Sequence, residues 1–182
     1  MKHGRLIGML LALGWIVSGS AVAETPSASD LVAFMLVKGG SGTSKPGTAS
    51  HLLDLPGEFD TFPVRGDSTN EGELGIGIKS HCVVIQKPES LTPLCLIITH
   101  EVRHLDEHRL ESFKYRFSMN GILERAVLIT GPLNEQGHAV KGAGTSKPLD
   151  ISDPSVKRAA NEELQLWLRR EADEIAKAKE AK

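Results

Sequence analysis

Phe113, Tyr115 and Phe117 alternate with Lys114, Arg116 and Ser118, and this short run restricts the fold more than any other part of the chain. Successive side chains of a strand point to opposite faces, so the segment presents one aromatic face and one polar face. Met119-Asn120-Gly121 follows, then an apolar-rich run from Ile122 to Ile129. A three-residue turn with Gly121 in the left-handed region joins the two as a hairpin. That register sets Phe117 against Leu123 and Phe113 against Val127 on one face, and Arg116 against Glu124 on the other. A two-residue Asn-Gly turn would oppose Arg116 to Arg125 and Phe117 to Glu124, which is worse on both faces. A sheet with one apolar face needs a cover, so the chain must supply another layer.

Two further strands precede the hairpin. His81-Cys82-Val83-Val84-Ile85 and Leu94-Cys95-Leu96-Ile97-Ile98 are rich in β-branched and apolar residues. Between them lies a loop with Pro88 and Pro93. A hairpin centred near Pro88–Glu89 sets Cys82 opposite Cys95. Directly opposed residues have Cα atoms about 4.5–5.5 Å apart, within reach of a disulfide. These are the only two cysteines, so the expectation is a structural Cys82–Cys95 bridge. Their spacing is not that of a C-x-x-C redox pair.

The cover is legible downstream. Asp153 is placed to cap a helix and Pro154 to occupy its first position. Val156, Ala160, Leu164, Trp167, Leu168 and Ile175 then recur near helical spacing, with Glu162, Glu163, Arg169, Arg170 and Glu171 mostly off that stripe. The charged ending KAKEAK is expected to fray. Near the start, Ser27 is a candidate cap with Asp30 three positions on. The segment Leu31 to Val37 is apolar on nearly every side and is expected to be buried, before Gly39-Gly40 ends it. Residues 38–72 are expected to be the loosest part, with Phe59, Phe62 and Val64 pinning the middle. Residues 131–150 read as loop. Gly42-Thr43-Ser44-Lys45-Pro46 returns as Gly144-Thr145-Ser146-Lys147-Pro148. Two copies do not make a solenoid, and both are expected to be surface loops.

Residues 1–23 read as a cleaved leader. Lys2 and Arg5 precede the uncharged stretch Leu6 to Val17, and Ala21-Val22-Ala23 fits a signal peptidase. The apolar run is shorter than a bilayer span requires. Export implies a periplasmic or secreted protein, in which a disulfide is the default for two cysteines. Loss of the leader takes Lys2 and Arg5 from 21 basic residues against 23 acidic ones, so the mature net charge is −4. A mildly acidic chain has no long-range attraction for nucleic acid or anionic lipid. The remaining length, about 160 residues, suffices for a real core and is too short for a multidomain enzyme.

One motif points to chemistry. His100-Glu101-Val102-Arg103-His104 matches H-E-x-x-H. On a helix, His100 and His104 would grip one zinc ion and Glu101 would activate its water. The resemblance to zinc metalloproteases covers these five residues only. The metzincin third-ligand position holds Leu110. Glu124 is a candidate by distance but reads as strand. His108 would lie about 12 Å from His100 along a helix. The run Leu94 to Thr99 also enters the motif as a strand, on which residues four apart are about 13 Å apart. Arg65-Gly66-Asp67 forms an RGD tripeptide in the loose region. Gly40 to Pro46 lacks the features of a phosphate-binding loop, and no G-x-S-x-G or S-x-x-K supports a serine nucleophile.

The sequence therefore predicts an α+β fold: an antiparallel meander of four to five strands covered by a C-terminal amphipathic helix, with an N-terminal helical segment. Residues 24–72 are expected to join 73–182 in one domain. The functional expectation is an exported, non-enzymatic protein that binds a protein or envelope partner, without cofactor, nucleic acid or a membrane span after leader removal. The alternative is a zinc-dependent hydrolase with Glu101 as base and His100 and His104 as ligands.

Overall fold

Ser27 and Asp30 open the first helix by satisfying each other's backbone. Asp30 Oδ2 accepts from the Ser27 N–H at 2.9 Å, and Ser27 Oγ accepts from the Asp30 N–H at 3.2 Å. This reciprocal cap starts α1 (Ala28–Lys38), which buries Leu31, Val32 and Met35 but leaves Val37 69% exposed. The computed structural model describes residues 25–38, 42–44, 49–63, 67–71, 75–90 and 92–180. The leader and the Arg65-Gly66 half of the RGD tripeptide lie outside them. Asp67 begins a strand opposite Ser80.

The molecule is α+β. Eight strands among the described residues form one antiparallel sheet: β1 (Gly42–Ser44), β2 (Phe59–Pro63), β3 (Asp67–Glu71), β4 (Ile76–Gln86), β5 (Pro93–His104), β6 (Arg109–Phe117), β7 (Leu123–Pro132) and β8 (Thr145–Pro148). Strands β4 to β8 run as a meander. β2 and β3 share the free edge of β4, and β1 pairs with β2. That is three to four strands more than expected, because the loose stretches at 38–72 and 131–150 supply β1, β2, β3 and β8. Their sequences carry no two-residue apolar repeat; they become strands by completing the hydrogen bonds of their neighbours. The GTSKP copies, over their described residues, are strands rather than the expected surface loops. Gly42–Ser44 and Thr145–Pro148 are the two outer strands of the sheet. A proline cannot donate to a further strand, so the Pro148 copy suits an edge.

Asp153 caps α2 (Pro154–Arg170), accepting from the Ser155 N–H at 2.8 Å, with Pro154 in the first turn. Ala160, Leu164, Trp167 and Leu168 are buried as the stripe requires. The KAKEAK end does not fray over its described part: α3 (Ala172–Glu180) continues past Glu171 and buries Ile175. Lys179 Nζ lies 2.9 Å from Asp30 Oδ1, tying the last helix to the first. Among the described residues no helix is long and apolar enough to cross a membrane.

The three helices cover one face of the sheet, where Leu31, Met35, Cys82, Ile98, Phe117 and Trp167 form the larger core. On the other face a smaller core joins Ala49, Leu53, Phe59, Ile85, Cys95, Ile97 and Val127.

Two registers differ from expectation. Gly121 has φ +79° and Phe117 faces Leu123, as the three-residue turn requires. A bulge follows at once. It skips Glu124, so Arg116 faces Arg125 and Phe113 faces Leu128. The bulge lets Ala126 join Tyr115 on the helix side while Val127 fills the other core. Glu124 still reaches Arg116, with Oε2 3.1 Å from Nε.

The second difference removes the disulfide. Cys82 faces Ile98, and Cys95 faces Ile85. The turn is centred nearer Glu89–Ser90 than Pro88–Glu89, since Gln86 pairs with Pro93 and Glu89 takes φ +61°. An offset of three residues is odd, so it sends the two side chains to opposite faces. Both thiols are free and buried. Burial raises the pKa of both, that of Cys95 to about 11.

Candidate functional site

The H-E-x-x-H segment lies at the end of β5, not on a helix. Alternation puts His100 and His104 on the helix-covered face and Glu101 on the opposite one. Four strand residues separate the imidazoles by about 13 Å. Each histidine has its own carboxylate instead. His100 Nδ1 lies 2.9 Å from Glu163 Oε1 of α2, and His104 Nε2 lies 3.7 Å from Glu111 Oε2 of β6. Glu101 Oε2 accepts from Arg103 Nη2 at 3.1 Å. Among the described residues no group of three His, Cys, Asp or Glu side chains converges to hold a metal.

The open face of the sheet is where charged groups gather. Cross-strand pairing sets His81, Thr99, Lys114 and Val127 in one row, and Lys79, Glu101, Ser112 and Ile129 in the next. Alternation places these with Arg103 and Arg116 on one face of β4–β6. Four basic side chains, Lys79, Arg103, Lys114 and Arg116, thus share it with one carboxylate, Glu101.

Turn 49–54 and the 133–140 segment cover the two ends of this face and leave its middle open. Arg116 Nη1 donates to the carbonyls of Leu53 at 2.8 Å and Asp54 at 2.7 Å, holding the first cover down. Arg103 Nη1 donates to the Gly137 carbonyl at 3.0 Å, holding the second. Between them lies a cavity of about 360 Å³. Leu53, Phe59, Val83, Ile85 and Ile97 form its apolar end, and His81, Thr99, Glu101 and Lys114 its polar end. A smaller cavity of about 250 Å³ adjoins it along the same face, lined by Lys79, Arg103 and His138 among others.

Lys114 is the telling group. Of the other cations, Arg103 is bound to Glu101 and Gly137 and Arg116 to the turn and Glu124, while Lys79 lines the smaller cavity and not this one. Lys114 makes no hydrogen bond or ion pair within 4 Å among the described residues, and burial lowers its pKa against the opposing field of Glu101. Lys114 is half-buried, and an ammonium held partly out of water without a partner costs the fold some stability. Its side chain faces the cavity, so an anion entering there would meet an unmatched charge.

A second cavity, about 380 Å³, opens where α2 crosses the sheet, and Ser80, His100, Glu163, Trp167 and Arg170 contribute to its walls. The hydrogen bond to Glu163 raises the His100 pKa, against the effect of burial.

Sequence reasoning singled out His100 and missed Lys114, Ser80 and Glu163. Lys114 and Glu163 stood on faces read as polar exteriors. Ser80 carried no local motif. The one usable signal was the polar face of the 113–118 alternation, which holds two cations and no carboxylate. No protein-family model, curated protein or solved structure matches the chain.

Proposed function

We propose that the chain is an exported binding protein that takes a small anionic molecule, a carboxylate above all, into the cavity on the open face of the sheet. The observation that carries this reading is the unpaired Lys114 at the polar end of a mixed cavity. Pockets that bind small molecules are mainly apolar with a few placed polar groups. Here Thr99, the cross-strand neighbour of Lys114, is placed to hydrogen-bond the second carboxylate oxygen, and His81 lines the same polar end. Leu53, Phe59 and Ile97 receive the apolar part. Glu101 is held by Arg103 and acts on Lys114 only through its field, without an ion pair. Export rests on the leader pattern of residues 1–23, and places such a protein in the periplasm or outside the cell, as a carrier or an envelope-associated sensor of its ligand.

Titrating the purified chain with butanoate and hexanoate, followed by amide chemical shifts, tests the reading. Saturable shifts centred on Thr99 and Lys114 are expected, with hexanoate tighter than butanoate. Lys114→Met should abolish them while leaving the spectrum folded. Equal response to hexanoate and hexanol would remove the anion from the proposal.

A further inference from the structure

The cavity under α2 lies on the opposite face from the anion site and rests on none of its residues. Ser80 and His100 are direct cross-strand partners on β4 and β5, with both side chains on the helix side. Glu163 on α2 accepts from His100 Nδ1, with 2.9 Å between Nδ1 and Oε1. The bond fixes the ring and its tautomer and leaves Nε2 free of any partner among the described residues. All three side chains line the same space. Ser80 Oγ accepts a hydrogen bond from Trp167 Nε1 at 3.1 Å, and its own proton has no acceptor there. We propose that Ser80, His100 and Glu163 act as nucleophile, general base and positioning carboxylate in the hydrolysis of small esters with an apolar acyl group.

The arrangement reproduces the logic of a nucleophile, a base and a group that orients the base. Ser80 Oγ bonds to the ester carbonyl carbon as its proton passes to His100 Nε2. The carbonyl then re-forms, the bond to the alcohol oxygen breaks, and the alcohol leaves with that proton. Water adds to the acyl carbon, giving a proton to Nε2. The bond to Ser80 Oγ breaks, Ser80 regains the proton, and the acid departs. The net change is ester plus water to acid plus alcohol. Trp167 Nε1–H supports negative charge developing at Ser80 Oγ. The Arg170 guanidinium, with Nε 3.6 Å from Glu171 Oε1, lies 4.9 Å from the centre of the Trp167 ring and adds positive charge to the same cavity. Ile78 and the half-exposed Leu166 give the acyl group an apolar wall. No hydrogen bond joins Ser80 to His100 before substrate arrives, and such contacts commonly close only in the bound complex.

The groups that set the pH response are Glu163 and Arg170 from α2 and Tyr115 from β6. Tyr115 is pushed up to about 12 by burial and stays neutral over the working range. Adjacent β4 contributes Ser80, which is uncharged. Activity should therefore rise with pH as His100 loses its proton. Glu163→Gln should lower the maximal rate about 10- to 100-fold, and should also move the rise to lower pH, because the carboxylate is what lifts the His100 pKa. A residue with only a structural role would not move that midpoint.

The test is to treat the purified full chain with a fluorophosphonate probe, locate the adduct by mass spectrometry, and follow p-nitrophenyl butyrate hydrolysis from pH 5 to 9. One adduct on Ser80, hydrolysis lost in Ser80→Ala, and a downward midpoint shift in Glu163→Gln are expected. Since Ser80→Ala also removes the acceptor of Trp167, His100→Gln serves as a second variant, with thermal unfolding of each. An unlabelled Ser80 in the folded wild-type chain, or hydrolysis unaffected by His100→Gln, would overturn the proposal.

Discussion

Arg116 and Leu53 stand 63 residues apart in sequence, yet Arg116 Nη1 donates to the Leu53 carbonyl at 2.8 Å. The same nitrogen reaches the Asp54 carbonyl, so one guanidinium holds the turn that covers the apolar end of the open-face cavity. Hydrogen bonds from charged groups contribute about 1.5–3 kcal/mol each. Arg116→Ala should lower stability by about 2 kcal/mol and raise hydrogen exchange at residues 49–55 more than in β6. Uniform exchange along the chain would show that Arg116 does not hold the turn.

The His100–Glu163 contact should make stability depend on pH in a defined direction. The folded pKa of His100 is raised above its unfolded value of 6.5, chiefly by the Glu163 hydrogen bond. Its stabilisation is therefore complete below about pH 6.5 and is lost as pH climbs through the raised folded value. Urea unfolding of the wild type and Glu163→Gln should differ most near pH 6, by about 1 kcal/mol, and converge toward pH 9. A gap that stays constant with pH would mean that the pair contributes packing alone.

Lys114 should act the other way. Burial lowers its folded pKa, so the charged form weakens the fold at neutral pH, and stability should grow as pH rises through that lowered value. Lys114→Met should stabilise the protein by on the order of 1 kcal/mol while abolishing carboxylate binding. Opposite signs for stability and binding are the mark of a residue kept for its ligand. A destabilised variant would argue that Lys114 has a structural partner.

The thiols offer a direct test of sheet register. Cys82 and Cys95 are buried on opposite faces, so the native chain should not react with a thiol reagent. The denatured, unreduced chain should release two equivalents. Cys82→Ser should cost about 1–3 kcal/mol by burying a hydroxyl without a partner. A titre of zero after denaturation would require a different register between β4 and β5.

Periodicity and caps were local properties, and they were readable without a fold. The Ser27–Asp30 cap, the Asp153-Pro154 helix start, the stripe through Trp167 and the aromatic face of β6 follow from side-chain spacing and nearby hydrogen bonds alone. The number of strands did not follow, because β1, β3 and β8 are polar segments ordered by their neighbours' unpaired backbone. Nor did the bulge at Glu124 or the odd offset between Cys82 and Cys95. A shift of one residue costs little locally and reverses every side chain, and only burial on both faces of the finished sheet selects among registers. The sites belong to the same class. His100 stood out beside Glu101, which strand alternation sends to the other face. Its carboxylate is Glu163, brought 63 positions back by the packing of α2 on the sheet. Lys114 looked like a solvated exterior residue until turn 49–54 folded across that face. Sequence by itself determined where the first helix and α2 begin, which segments form the central strands, and that one face must be covered. Tertiary structure decided which charges are left without partners, because pairing is settled by what the fold brings within a few ångströms.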